Sequence, residues 1–475
     1  MKKGLIACLL LGCCVALYGQ NTTSWDVLRG NAKEHLINLI NIDTSLPEPD
    51  ETKAARYIYK QFNKHHIDWD IFIPSKGRAN IMARIKGTDP TQKPLLLISH
   101  LDTIPADLQA WQYPPFTATE ENGNIYGLGA TDAKNYTAIY LALFNWLSTL
   151  DKKPVRDIIF LATSGEESGS ETGLLWLAQH HWDNINAGYA LNEGGGIIKG
   201  DNGADLVFAE AATKLYMNIK VTALGSEEHS SMQPDENAVY RLSQALAQIE
   251  NYPIPARLTP TAKTFFKSII PLQDEDGQTT IQMLLNGNPQ NSQNAAEMMA
   301  QDPFFRTQLK DTVTPTILSA GRDASSTAAT ATALLNVRLL PGSDPDEFFN
   351  RLNALFENDD NIILEVSERP QTPAPQAMDG SDPLFAAIRK TAAKLMPRAI
   401  SVTGLSPASG DNEYLRKLGV VTYGLGPDMD PLEKNSAHAA DEFIAEQSFY
   451  NQLDFVAGVV FDFAYREYLL PLKPQ

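Results

Sequence analysis

Cysteine is confined to one end of the chain: Cys8, Cys13 and Cys14 are the only three among 475 residues. Everything after them therefore lacks disulfides, cysteine nucleophiles and thiolate-bound zinc, and any metal held there must use His, Asp and Glu. Positive charge is also scarce. With 39 Lys and Arg against 57 Asp and Glu, the formal charge is −18, and the clustered cations that neutralise phosphate are missing, which argues against a nucleic-acid or anionic-membrane partner. A cationic cofactor suits this balance better, although surface acidity also serves solubility. A long apolar run is absent as well. The opening MKK, the apolar GLIACLLLGCCVALYG and the polar QNTTSWD have the order of an export signal, too short and wrongly flanked for a membrane span. This predicts a cleaved leader over residues 1–19 and a periplasmic or secreted protein with no stable membrane insertion. Leu10-Leu11-Gly12-Cys13 has the form of a lipoprotein box, but the apolar Cys14-Val15-Ala16-Leu17 that follows favours an ordinary cut nearer Gly19.

What is present is an ordinary globular composition, 43% hydrophobic and 20% charged, in a chain long enough for two hydrophobic cores. Apolar positions at three-to-four spacing through HLINLINI and TKAARYIYKQF predict helices. PLLLISH, RDIIFLATS, GYALNE and, much later, GVVTYGLG are short and almost continuously apolar, as parallel strands buried on both faces are. The expected fold is α/β, a mostly parallel mixed sheet with helices on both faces. KLYMNIKVTAL and ATALLNVRLLPG instead alternate with period two, like half-solvated antiparallel strands, and NAVYRLSQALAQI and DEFFNRLNALF accompany them as helices. They predict an α+β domain inserted over residues 213–368, between catalytic parts at 20–212 and 369–475, with RPQTPAPQ as the return linker and a helical elaboration from Pro253 to Thr312.

The chemistry gathers at strand ends. PLLLIS runs into His100-Leu101-Asp102, and in an open parallel sheet the carboxyl ends of the strands form the ligand crevice. One intervening residue points both side chains the same way, so Asp102 can orient the imidazole. Alone, this is weak evidence. Asp132 precedes a helical pattern and reads first as an N-cap, a role that leaves room for a metal bridge as well. DIIFLATS ends in Glu166-Glu167, and two adjacent carboxylates at the end of an apolar strand are costly unless a cation or proton lies between them. YALNE ends on Glu193, and His438 follows the last strand. Imidazole and carboxylate together suit Zn²⁺ or a similar ion, and five ligands with one shared carboxylate suit two.

HLDT, GxGxxDxK, SGEE, NE followed by glycines, and HxADE occur in this order, and together they resemble the zinc peptidase and deacylase family that includes aminoacylase, bacterial glutamate carboxypeptidase, succinyl-diaminopimelate desuccinylase and carboxypeptidase S. The long insert is most similar to the carboxypeptidase S-like members. The resemblance implies a zinc-exopeptidase fold with an inserted lid domain and two Zn²⁺ ions, with Co²⁺ or Mn²⁺ as substitutes. It implies that His100 and Glu193 hold one ion, Glu167 and His438 the other, and that Asp132 bridges. Glu166 would be the general base toward the attacking water, and Asp102 would orient His100. His229 in Glu228-His229-Ser230-Ser231 matches the lid histidine that stabilises the oxyanion, and Arg338 the arginine that receives the substrate carboxylate. For each, a plain surface residue is the alternative.

Three departures from the family pattern fall on expected substrate-contacting positions: Ser325-Ser326-Thr327-Ala328 where an Asn is usual, Asn135 for Gly, and Glu413 for Arg. The function implied is a di-zinc carboxypeptidase or N-acyl-amino-acid deacylase acting on small peptides or N-acyl amino acids, with a homodimer through the lid domain as an associated expectation. Glu193 favours that branch over dipeptidases and aminopeptidases, which generally carry Asp there. A non-catalytic binding protein on the same fold is the reading from another class, and the intact Glu166 and ligand positions argue against it.

Overall fold

A computed structural model describes residues 25–199, 204–232, 235–369, 375–429 and 437–466. The expected leader over residues 1–19 lies outside them, as does most of the proline-rich linker. The chain forms two compact units, one made of the segments up to Glu210, Met378–Val402 and from Gly410 onward, the other of Ala211–Ala377 with Thr403–Ser409.

In the first unit the four continuous apolar runs become four adjacent parallel strands, Ile158–Thr163, Leu95–His100, Tyr189–Asn192 and Val421–Gly424, in that spatial order. Every residue of the first two is buried, as expected of strands covered on both faces. The sheet grows past them on each side. An antiparallel hairpin, Trp69–Ser75 and Arg78–Ile85, adds to Ile158–Thr163, while Leu206–Thr213, Gly196–Ile198 and Asp428–Met429 continue beyond Val421–Gly424. One helix, Lys134–Ser148, is buried around nearly its whole circumference, with Ile139, Leu143 and Phe144 at 0% exposure. A helix apolar on all sides belongs inside the layers rather than on their surface. Among the described residues no helix is long and apolar enough to cross a membrane.

The second unit is an α+β body. Leu215–Leu224 and Thr330–Leu339, the two alternating segments, pair antiparallel, and the sheet runs Thr312–Ala320, Thr330–Leu339, Leu215–Leu224, Ile362–Glu368. Its buried face, including Met217, Ile219, Val221, Leu335 and Val337, packs against Leu242 and Ile249 of helix Ala238–Glu250 and Phe348 and Leu352 of helix Pro345–Asn353. The elaboration after Pro253 is four helices, Pro260–Ile269, Glu275–Asn286, Pro289–Met299 and Pro303–Leu309. Thr403–Ser409 joins this unit because the Leu405 main chain is gripped by the Gln308 amide and Lys214 N donates to the Ser406 carbonyl.

Parallel register positions the functional loops. His100 lies opposite Thr163, so the two strands stop level and Glu166 and Glu167 leave the sheet just beyond. Gly165 makes that exit tight: its φ is +73°, and a Cβ there would stand 2.4 Å from the Thr172 hydroxyl and 2.6 Å from the Arg78 guanidinium.

Candidate metal centre

Two imidazoles and four carboxylates meet at the ends of these strands. His100 Nε2 is 3.0 Å from Asp132 Oδ1 and 3.2 Å from Glu193 Oε2. His438 Nε2 is 3.2 Å from Asp132 Oδ2 and 3.2 Å from Glu167 Oε1. The two oxygens of Asp132 therefore face different histidines. Glu166 stands slightly back, with Oε2 3.9 Å from His100 Nε2. Ligand atoms of His100, Glu166 and Glu193 lie within 4.8 Å of one another, and so do those of His100, Asp132 and Glu167.

Each imidazole is set by the chain around it. His100 Nδ1 donates to the main-chain carbonyl of Asp102 at 2.9 Å, which leaves Nε2 as the nitrogen facing the carboxylates. The Asp102 carboxylate was expected to take this bond. It lies 3.6 Å from Nδ1 and instead accepts the main-chain N–H groups of Glu166 and Glu167, each at 3.1 Å. Asp102 thus fixes the turn that carries both glutamates, and its own backbone fixes His100.

Of the two roles expected of Asp132, the helix cap is not made. The N-cap of helix Lys134–Ser148 is Ala133, without a side-chain capping bond, and the Asp132 carboxylate is turned toward the histidines. Its loop is held by Glu442, the last residue of HxADE. Glu442, 1% exposed, accepts the main-chain N–H groups of Gly129, Thr131 and Asp132 and the Thr131 hydroxyl at 2.8–3.2 Å. Because Phe443–Ala445 pairs antiparallel with Asn124–Tyr126, the segments bearing His438 and Asp132 are stitched together twice. An acidic residue four positions after His438 is the trace of this in the sequence.

Two of the departures from the family pattern turn out to be structural positions. Asn135 is fully buried, with its amide donating to Gln452 Oε1 at 3.0 Å, and Glu413 is buried and paired with Lys417 at 2.7 Å. Both were expected to touch substrate. Ser325 and Ser326 cap a turn by binding Asp323. His229 and Arg338 belong to the second unit. His229 is exposed, its Nδ1 2.8 Å from the Ser231 hydroxyl, and its backbone bridges to Ser326. Arg338 lies over the Tyr216 ring at 4.5 Å and donates to Asn336 Oδ1 and the Ser409 hydroxyl at 3.0 and 2.8 Å.

The electrostatics are those of a site built around positive charge. Burial would lower the His100 pKa, but Glu193, Asp102 and Asp132 around it raise it well above the ordinary imidazole value. Hydrogen bonds to Asp132 and Glu167 raise His438 to about 10. Burial, with the other carboxylates adding to it, raises Glu193 to about 7, and burial followed by the charge of Glu193 raises Glu166 well above the ordinary glutamate value. Donor chemistry and spacing both fit divalent metal: the 3.0–3.2 Å separations approach the spacing of about 3.4 Å between donors bound tetrahedrally at about 2.1 Å.

Residues 96–462 match the family model described as peptidase family M20/M25/M40. The chain belongs to this family. It is 25% identical over 452 residues to the N-fatty-acyl-amino acid synthase/hydrolase PM20D1 of Mus musculus, covering 89% of this chain and 86% of that one. It is 26% identical over 437 residues to the probable succinyl-diaminopimelate desuccinylase of Staphylococcus aureus (strain N315), covering 88% and 94%. The same fold occurs in the M20 family metallo-carboxypeptidase Sso-CP2 from Sulfolobus solfataricus, with a TM-score of 0.66 at 18% identity over 90% of this chain and 98% of that one. As a member of the M20/M25/M40 family the protein is a metallopeptidase or amidohydrolase.

Metal must displace protons from this cluster. Below the raised Glu193 value of about 7 the carboxyl is neutral, so affinity is expected to fall as pH drops, by about tenfold per unit for each proton displaced. Chelator competition at pH 6 and pH 8 measures this, and equal affinity at both would contradict it. Glu442→Ala frees three main-chain donors and is expected to weaken metal binding by about 10–100-fold, with Glu442→Gln less affected. Unchanged affinity in the alanine variant would show that the Asp132 loop needs no such anchor.

Proposed function

We propose that the protein is a di-zinc hydrolase of amide bonds, a carboxypeptidase or N-acyl-amino-acid deacylase. The observation that carries this reading is the Asp132 carboxylate facing His100 with one oxygen and His438 with the other, with Glu166 standing beside them. In this reading His100 and Glu193 hold one ion, Glu167 and His438 the other, and Asp132 serves both. When bound, such a pair polarises the scissile carbonyl and makes water a better nucleophile at neutral pH.

Glu166 supplies the proton transfer. It is adjacent to ligand Glu167 and stands farther from the His100 imidazole than Asp132 and Glu193 do, so it is free to take a proton from the attacking water and deliver it to the leaving nitrogen. Its raised pKa, from burial and then Glu193, suits a group that must hold the proton between the two events. Oxygen adds to the carbonyl carbon, the C–N bond breaks, and a carboxylate and an amine leave. His229 as oxyanion donor and Arg338 as receptor for the substrate's α-carboxylate belong to the same proposal. Arg338 is held through Nε by Asn336 and through Nη1 by Ser409, and its planar guanidinium suits a carboxylate. The names of the sequence relatives, an N-fatty-acyl-amino acid synthase/hydrolase and a probable succinyl-diaminopimelate desuccinylase, support an N-acylated substrate with a free carboxylate.

Glu166→Gln is expected to lower kcat by at least about 10²–10⁴-fold while both ions stay bound, and wild-type enzyme is expected to cleave N-acyl amino acids and N-blocked dipeptides. Loss of metal from the variant would make Glu166 a ligand, and cleavage confined to dipeptides with a free amine would move the protein to the dipeptidase branch.

The second unit also offers a surface for a second copy. Thr312–Ala320 is an edge strand whose Ile317 and Leu318 are 58% and 65% exposed, and helix Ala238–Glu250 presents Val239 and Tyr240 at 43% and 70%. An apolar edge with free backbone groups invites strand pairing. A homodimer through this edge is expected, and Leu318→Lys should convert it to monomer in sedimentation. A wild-type monomer would remove this part of the proposal.

A further inference from the structure

Behind Glu193 lies a second charged assembly with no part in proton transfer. Arg416 and Glu210 form a two-pronged ion pair, Nη1 to Oε1 at 2.8 Å and Nη2 to Oε2 at 2.7 Å, with side-chain exposures of 0% and 1%. Arg416 Nη2 also reaches the carbonyls of Glu210 and Thr422 at 3.3 and 3.1 Å. Burying such a pair costs desolvation of both ions and adds little net stability, so its value lies in what it holds in place. What it holds is Asn412. The Asn412 amide donates one hydrogen to Glu210 Oε2 at 2.7 Å and the other to the main-chain carbonyl of Glu193 at 2.9 Å.

The surroundings leave that main chain little freedom. A Cβ on Gly424 would stand 2.2 Å from the Glu193 carbonyl oxygen, and one on Gly195 2.3 Å from the Phe208 oxygen. The two residues before Asn412 touch the other half of the site. Asp411 accepts the Ser170 hydroxyl at 2.5 Å, and a Cβ on Gly410 would lie 2.6 Å from Glu166 Oε1. Three consecutive residues thus touch the Glu166 carboxylate, the loop that follows it, and the backbone of Glu193.

We infer that Asn412, locked by the Glu210–Arg416 pair, is a positioning residue that sets where Glu193 stands relative to Glu166, and so tunes one metal position and not the other. This rests on the proposed reading of Glu193 as a ligand. Through Asn412 the rigid ion pair fixes the Glu193 main chain, and the Gly410 backbone fixes the wall against which Glu166 rests. The position that depends on Glu167 and His438 receives no contact from Asn412.

The test is metal binding by purified full-length protein, read by zinc titration against a chelator and by the visible spectrum of the cobalt-loaded form. Asn412→Ala is expected to bind one ion as the wild type does and the other about 10–100-fold more weakly, with a changed cobalt spectrum. Arg416→Lys keeps the charge but loses the fork, and should give a smaller loss at the same position, so the inference stays testable if the alanine variant does not fold. Glu193→Ala is measured in parallel. If it loses one ion while Asn412→Ala and Arg416→Lys bind both as the wild type does, the positioning role is overturned and the ligand role stands. If Glu193→Ala itself retains both ions at full affinity, the ligand role and the inference fall together. Equal weakening of both ions by Asn412→Ala or Arg416→Lys would mean a general structural role and would also overturn it.

Discussion

One carboxylate between two imidazoles is the constraint on which the catalytic unit depends. For Asp132 to face His100 and His438 at once, a strand end, a helix-leading loop and a segment more than three hundred residues later in the sequence must converge to within hydrogen-bonding distance. Glu167 and Glu193 then crowd the same space. Negative groups so close and so buried repel one another, and the raised pKa values of Glu166 and Glu193 express that cost. Much of the surrounding structure opposes it. Asp102 pins the turn of the paired glutamates, Glu442 pins the loop of Asp132, and the Glu210–Arg416–Asn412 assembly pins the backbone of Glu193.

These anchors share a pattern. In each, a buried polar side chain grips the main chain of a residue that bears a functional group, and the functional side chain itself remains unencumbered. Backbone groups are obligatory hydrogen-bonding partners when buried, so holding a residue by its peptide consumes none of the ligand oxygens. The arrangement explains how a crowded acidic cluster stays ordered without being neutralised by its own scaffold.

Much of this was legible in the sequence because the signals were local. PLLLISH, DIIFLATS, YALNE and GVVTYGLG read as buried parallel strands from their apolar continuity, and the acidic or imidazole residue at the end of three of them pointed to one crevice. The period-two segments of the insert were equally plain. The parts that were not legible depend on contacts between distant side chains and backbones. Asp132 has the local appearance of a helix cap as well as of a metal bridge, and only the fold shows that its oxygens face His100 and His438 while the cap bond is not made. Asn135 and Glu413 look like substrate contacts by sequence position, yet three-dimensional packing gives them Gln452 and Lys417 as partners. Glu442 and Asn412 carry no periodicity that marks them, because what they hold is a peptide group, which every residue has, and Glu210 meets its partners Asn412 and Arg416 only across about two hundred residues of chain.

The order of the ligands along the chain has a consequence in time. Four of the five expected ligand positions precede the insert and the fifth, His438, follows it. During synthesis the strands carrying His100, Glu167 and Glu193 can form before the insert exists, but Asp132 has only one of its two imidazoles until the later segment emerges. Asp132 and Glu193 depend on the later segment too, because Glu442 and Asn412, which hold their main chains, also follow the insert. A chain ending within the insert would contain His100, Asp132, Glu167 and Glu193 but not His438, and so only one of the two imidazoles that Asp132 faces.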